Sequence, residues 1–93
     1  MINLEKNELI LWKKKANMKV KSVKIPGTLF VTNKKIVFKP MLTKNEIIIR
    51  FKEIRKSEVM KGLTKKIKII SEKEYIFFVK EAEAVARLIK TLI

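Results

Sequence analysis

The stretch Gly27-Thr28-Leu29-Phe30-Val31-Thr32-Asn33-Lys34-Lys35-Ile36-Val37-Phe38 decides how this chain is read. Two β-prone runs flank a two-residue link that begins with Asn, which is a hairpin pattern. With Asn33 and Lys34 as the loop, Thr32 opposes Lys35, Val31 opposes Ile36, Phe30 opposes Val37 and Leu29 opposes Phe38. Directly paired residues of antiparallel strands share a sheet face. Leu29, Val31, Ile36 and Phe38 therefore form an apolar face, and Thr28, Phe30, Thr32, Lys35 and Val37 form a mixed one. A slip of one residue would scramble that division, so the pattern sets the register. The remaining chain must supply a cover for the apolar face.

Upstream, Glu8-Leu9-Ile10-Leu11-Trp12 reads as a first strand running into Lys13, Lys14 and Lys15, with a short helical start through Leu4 and Lys6 as the alternative. Residues 16–26 alternate loosely, with Met18, Val20 and Val23 between Lys19, Lys21 and Lys24, as either a continuation of that strand or a basic loop. Pro26-Gly27 reads as a break before the hairpin. Downstream, a loop over residues 39–45 leads to a β-branched strand over residues 46–51. A charged segment anchored by Ile54 follows, and then a weaker strand over residues 57–61 that stops at Gly62. Residues 66–71 and 75–79 form another strand pair around Glu72-Lys73-Glu74.

The period then changes. Ala82, Val85, Ala86, Ile89, Leu92 and Ile93 fall on one helical stripe, with Glu early and Arg or Lys late, as the helix dipole favours. In a small β-domain such a stripe reads as cover for the sheet, ahead of membrane insertion. The expected fold is mainly β: about seven strands in a strongly bent antiparallel sheet or two near-orthogonal sheets, closed by one C-terminal helix. The 93 residues make one domain, 1–93.

Composition removes whole classes of chemistry. Cys, His and Asp are absent, which excludes thiolate and imidazole metal sites, cysteine nucleophiles and His-based triads. Ser22, Ser57 and Ser71 have no imidazole base, and Glu72 and Glu74 read as solvated turn residues. Lys61-Gly62-Leu63-Thr64-Lys65-Lys66 departs from the phosphate-cradling P-loop and reads as a basic turn. No catalytic residue, metal or cofactor is expected. What stands out is charge: 23 Lys+Arg against 9 Asp+Glu, a formal +14. Such an excess attracts acidic lipid, nucleic acid or acidic protein through a salt-sensitive field. Nearly all of it is Lys, which lacks the bidentate fork of Arg and supports diffuse attraction, and a Lys- and Ile-rich chain also fits biased codon usage. The start lacks the pattern of a secretion signal, and no apolar run approaches the ~18 residues of a spanning helix. A cytoplasmic location follows as the expectation.

Glu8-x-Ile10-Leu11, Ala16-Asn17, the Gly27-to-Phe38 hairpin, Ile54 and Phe77-x-Val79 before a helix together resemble the GRAM domain family of the pleckstrin-homology-like superfold, in particular its small stand-alone bacterial members. The family often places Arg at the position of Lys35. The resemblance implies seven antiparallel strands in two sheets with a C-terminal helical cap. It also implies a non-enzymatic binding module, since relatives bind phosphoinositides or other acidic lipids in some cases and proteins in others.

In pleckstrin-like lipid binders basic residues cluster in the loop after the first strand, and Lys13, Lys14, Lys15, Lys19, Lys21 and Lys24 occupy that region here. The Lys-x-Arg element of those binders is missing, and the last interstrand turn carries Glu72 and Glu74. These six lysines are the expected contact with anionic phospholipid, at the inner membrane face. The alternative is a protein-binding or self-associating module with an acidic protein partner or a second copy, in which Trp12 and Phe30 would mark the surface if exposed. Nucleic-acid binding ranks third, because aromatics at strand spacing serve the core first.

Overall fold

The computed structural model describes residues 2–93. In chain order the strands are β1 (Ile10–Val20), β2 (Val23–Thr32), β3 (Lys35–Pro40), β4 (Ile47–Arg50), β5 (Lys56–Met60), β6 (Lys66–Ile70) and β7 (Glu74–Phe78), followed by helix α1 (Ala82–Leu92). A single 3-10 turn, Phe51–Glu53, separates β4 from β5. The β2–β3 ladder pairs Leu29 with Phe38, Phe30 with Val37 and Val31 with Ile36, the register that the hairpin pattern demands. Leu29, Val31, Ile36 and Phe38 are buried in the main core, each contributing about 1.5–3 kcal/mol of apolar transfer.

All seven strands are antiparallel neighbours in one sheet, ordered β4-β3-β2-β1-β7-β6-β5. Of the two closures expected, one strongly bent sheet or two near-orthogonal sheets, the structure has the first, a single continuous open sheet. The reason is the length of β1: ten of its 11 residues pair with β2, Leu11 lying at a bulge, and Asn17, Met18 and Lys19 pair on the other edge with β7. One strand thus belongs to both halves. The sheet is nevertheless curled. The rings of Phe38 on β3 and Phe77 on β7 lie 5.5 Å apart, whereas three strand spacings in a flat sheet would separate them by ~14 Å. Ala82, Val85, Ala86 and Ile89 of α1 join the same core, so the apolar stripe of the helix covers the sheet as its pattern implies.

Residues 16–26 settle as strand. Ala16 and Met18 point into the core, and β1 turns into β2 through Lys21, whose φ is 57°, and Ser22. Pro26 and Gly27 do not break the chain; both lie inside β2. The Pro26 carbonyl accepts from the Met41 N–H, just beyond the end of β3 at Pro40. The N–H that Pro26 lacks would face that same side, opposite Met41 and beyond the last paired residue of β3, so the ladder to β1 keeps its bonds. Gly27 is required by proximity: a Cβ there would lie 2.4 Å from the Lys39 carbonyl oxygen and 2.7 Å from the Phe38 ring. Bare backbone lets β3 cross close to β2.

Candidate functional site: a basic groove beside an ionic latch

The mixed face of the hairpin is covered by the chain's own start. Ile2 packs on Phe30 and Val37 in a second small cluster, with Ile10 against it. Next to this cluster the Thr32-Asn33-Lys34-Lys35 corner holds residues 5–9. Asn33 accepts from the Leu9 N–H at 2.7 Å and donates to the Asn7 carbonyl at 3.0 Å. The Thr32 hydroxyl donates to the Glu8 carboxylate and accepts from the N–H groups of Lys34 and Lys35.

Lys35 Nζ lies 2.9 Å from Glu8 and 3.1 Å from Glu5, with side-chain exposures of 5% for Lys35 and 0% for Glu8. Arg50 on β4 reaches Glu5 at 3.0 Å. Burial pushes the Glu8 carboxyl up, but the Glu5 N–H, the Thr32 hydroxyl and the Lys35 ammonium outweigh it and hold its pKa down to about 2. Burial pulls Lys35 down, and Glu8 and Glu5 overcome this to leave its pKa raised. The hydrogen bond from Lys35, then that from Arg50, lowers Glu5. A buried pair with its remaining polar atoms satisfied is a structural device. It is a latch for the N-terminal segment.

A different surface runs along β1. A cavity of about 630 Å³ is lined by Lys15, Lys65 and Lys80 above Pro26, Phe78 and Val79. Beside it, a cavity of about 500 Å³ is lined by Lys13, Lys14, Lys15 and Lys39 with Phe30, Pro40 and Met41. Lys15 and Met41 line both, so the two form one groove. Among the described residues no carboxylate lines either part; Glu81 lines the adjoining space that Lys14, Lys15, Val79 and Lys80 share with them. The groove opens where β1, beyond its short pairing with β7, parts from the chain leading into α1. Among the described residues Lys13, Lys15, Lys65 and Lys80 form no ion pair, whereas Lys14 reaches Glu81 at 3.1 Å.

The six lysines singled out from the sequence are all exposed, but they do not form a loop. Lys13, Lys14, Lys15 and Lys19 lie within β1, Lys21 in the turn and Lys24 in β2. The strand is continuous because Ala16 and Met18 need burial between them. Lys13, Lys14 and Lys15 line the groove; Lys19, Lys21 and Lys24 do not. Lys24 meets its edge indirectly, with its ammonium 4.2 Å from the centroid of the Phe78 ring. Phe30 is 4% exposed beneath Ile2, and Trp12 is half-buried against the main core, so the exposure required for a partner surface is missing at Phe30. Lys39 and Lys80 have no local feature that distinguishes them from other lysines, and Lys65 belongs to the basic turn after Gly62 without being singled out as a contact. Among the described residues no group of acidic side chains is placed to hold a metal ion, and no helix is long and apolar enough to cross a membrane.

A curled seven-stranded antiparallel sheet closed by a C-terminal helix is the pleckstrin-homology-like architecture, and solved structures agree. The C-terminal domain of an unknown protein from Leishmania infantum superposes with a TM-score of 0.78 at 18% identity, covering 94% of this chain and 86% of that one. The Vps36 N-terminal PH domain gives 0.76 at 12% identity, covering 96% and 84%. A chain of the 8S snRNP assembly intermediate gives 0.68 at 14% identity, covering 89% and 78%. At these identities the likeness is one of fold. Comparison with curated protein sequences yields no match. The GRAM domain profile, however, matches residues 1–91. The chain belongs to the GRAM domain family, as its hairpin and flanking residues indicate.

Proposed function

We propose that this GRAM domain is a non-enzymatic interaction module that adheres to anionic phospholipid surfaces through the groove along β1, as a peripheral protein of the cytoplasmic membrane face. The observation that carries this reading is a groove lined by Lys13, Lys14, Lys15, Lys39, Lys65 and Lys80, six lysines against a single carboxylate among the described residues, Glu81, which pairs with Lys14 at its edge. Lysines lining an apolar floor can place their ammonium groups at phosphate level while their stems stay on Pro26, Pro40 and Phe78. Without Arg in the wall, the attraction is to a charged surface and not to one headgroup held bidentately. Co-sedimentation with acidic and neutral vesicles over a salt series tests it. Pelleting with acidic vesicles that fades as salt rises is expected, and equal behaviour with both vesicle types would overturn it.

A second reading is supported by the open sheet. β4 and β5 end the strand order, so among the described residues each has one edge that pairs with no other strand and could accept a strand from a partner or a second copy. Sedimentation velocity across a concentration series tests self-association, and a monomer throughout would remove it.

A further inference from the structure

Two loops that border the groove carry the same three residues. Leu42-Thr43-Lys44 follows β3, and Leu63-Thr64-Lys65 joins β5 to β6. Leu42 is 84% exposed and Leu63 is 109% exposed, so both side chains stand out from the surface. Met41 of the first loop and Leu63, Thr64 and Lys65 of the second line the same cavity of about 630 Å³. Residues 41–45 and 61–65 contain no acidic side chain.

A single exposed leucine is ordinary on a soluble domain. Two loops distant in sequence that meet at one basic cavity, each with a protruding leucine two residues before a lysine, form a pattern. We propose that Leu42 and Leu63 are membrane-inserting tips: on an anionic bilayer they enter the acyl boundary while Lys44, Lys65 and the groove lysines stay among the phosphates. This inference rests on the lipid reading above and adds to it an apolar, salt-resistant part of the binding. An interfacial layout of this kind, apolar side chains projecting beyond a row of lysines, is the one that lipid surfaces select. A single-stranded nucleic acid would call for aromatic platforms, and both tips are aliphatic. A protein partner would bury an apolar centre, whereas the most exposed apolar side chains here, Leu42 and Leu63, stand out from loops at the border of the cavity.

The chain has no cysteine, so Leu63→Cys can be labelled uniquely with an environment-sensitive fluorophore, with Lys52→Cys as a remote exposed control. On vesicles of phosphatidylserine and phosphatidylcholine the label at 63 should shift to the blue and be quenched by lipids brominated in the acyl chain, and the label at 52 should do neither. Leu42→Ser with Leu63→Ser should weaken vesicle binding about a hundredfold, roughly tenfold per leucine, and remove the part that survives high salt. Circular dichroism should be unchanged, because both side chains lie outside the core. If the unmodified protein binds the vesicles but the label at 63 stays unquenched and the double variant binds as well, insertion is overturned and surface adhesion stands. If the unmodified protein ignores anionic vesicles, whether or not single-stranded DNA retains it, both readings fall.

Discussion

Lys35 and Lys15 lie on the same outer face of the sheet and meet opposite fates. Lys35 is buried between two carboxylates in the latch, and Lys15, exposed, lines both parts of the groove and forms no ion pair among the described residues. The latch end is electrostatically closed, because Glu5 and Glu8 answer Lys35 and Arg50. At the groove end Lys14 pairs with Glu81, while Lys13, Lys15, Lys65 and Lys80 leave their charge to solvent or to a partner. A formal +14 therefore covers two kinds of lysine, one that holds the fold and one free to meet an anion. Sequence neighbours do not show which is which; the depth of burial and the nearest carboxylate do.

The contrast predicts effects of very different size. Glu8→Ala leaves the Lys35 ammonium buried with only Glu5, and should cost about 3–5 kcal/mol in urea denaturation. Glu8→Leu combined with Lys35→Met should recover much of that loss, since an apolar pair of similar volume needs no counter-charge. A cost for Glu8→Ala no larger than that for Lys15→Ala would erase the distinction. The same latch sets an acid response. The Glu8 pKa is lowered from 4.5 to about 2, so its stabilisation is complete above about pH 4.5 and is lost as pH falls through 2. Denaturation midpoints should drop across that window, and less steeply in Glu8→Gln. Lys35, with its pKa raised above 10.5, keeps its contribution below that pH and loses it as pH rises through the raised value.

At the groove end the expected change is in binding. Lys15→Gln with Lys65→Gln should weaken association with anionic vesicles by about 2 kcal/mol, roughly thirtyfold, at low salt. Asn33→Ala removes two hydrogen bonds to the N-terminal segment and should destabilise by about 1 kcal/mol, with vesicle binding unchanged. Smallest of all, Lys15→Gln alone should change the unfolding free energy by no more than about 0.5 kcal/mol. If it destabilises as Glu8→Ala does, the groove lysines belong to the fold and the comparison fails.

The pairing of Leu29 with Phe38 and Val31 with Ile36, and the burial of Ala82, Val85, Ala86 and Ile89, were legible in the chain because strand and helix periods are local. The extent of β1 was not. Lys13, Lys14 and Lys15 suggest an exposed loop, and only pairing with β2 along the whole strand and with β7 at one end makes them strand residues. Pro26-Gly27 misled for a similar reason. Both residues have the local marks of a break, but the sheet places the absent N–H beyond the end of β3 and needs the absent Cβ for close passage. The groove was half-visible, since Lys13, Lys14 and Lys15 were marked and Lys39, Lys65 and Lys80 were not. The repeated Leu-Thr-Lys was the signal in the chain that could have led to the second loop.

By itself the sequence determined the hairpin and its register, the helix and its inward stripe, and the lack of the side chains most metal and nucleophile chemistry needs. Those features depend on residue type and on periods of two or 3.6 that repeat within a few positions. Only the tertiary structure decided that one long strand would join both halves of the sheet, that Glu8 would be buried against Lys35, and that two distant loops would meet beside Lys15. Each of these joins residues far apart in the chain, and the cost of desolvating a charge, or the chance to leave it in water, exists only once the backbone has closed around it.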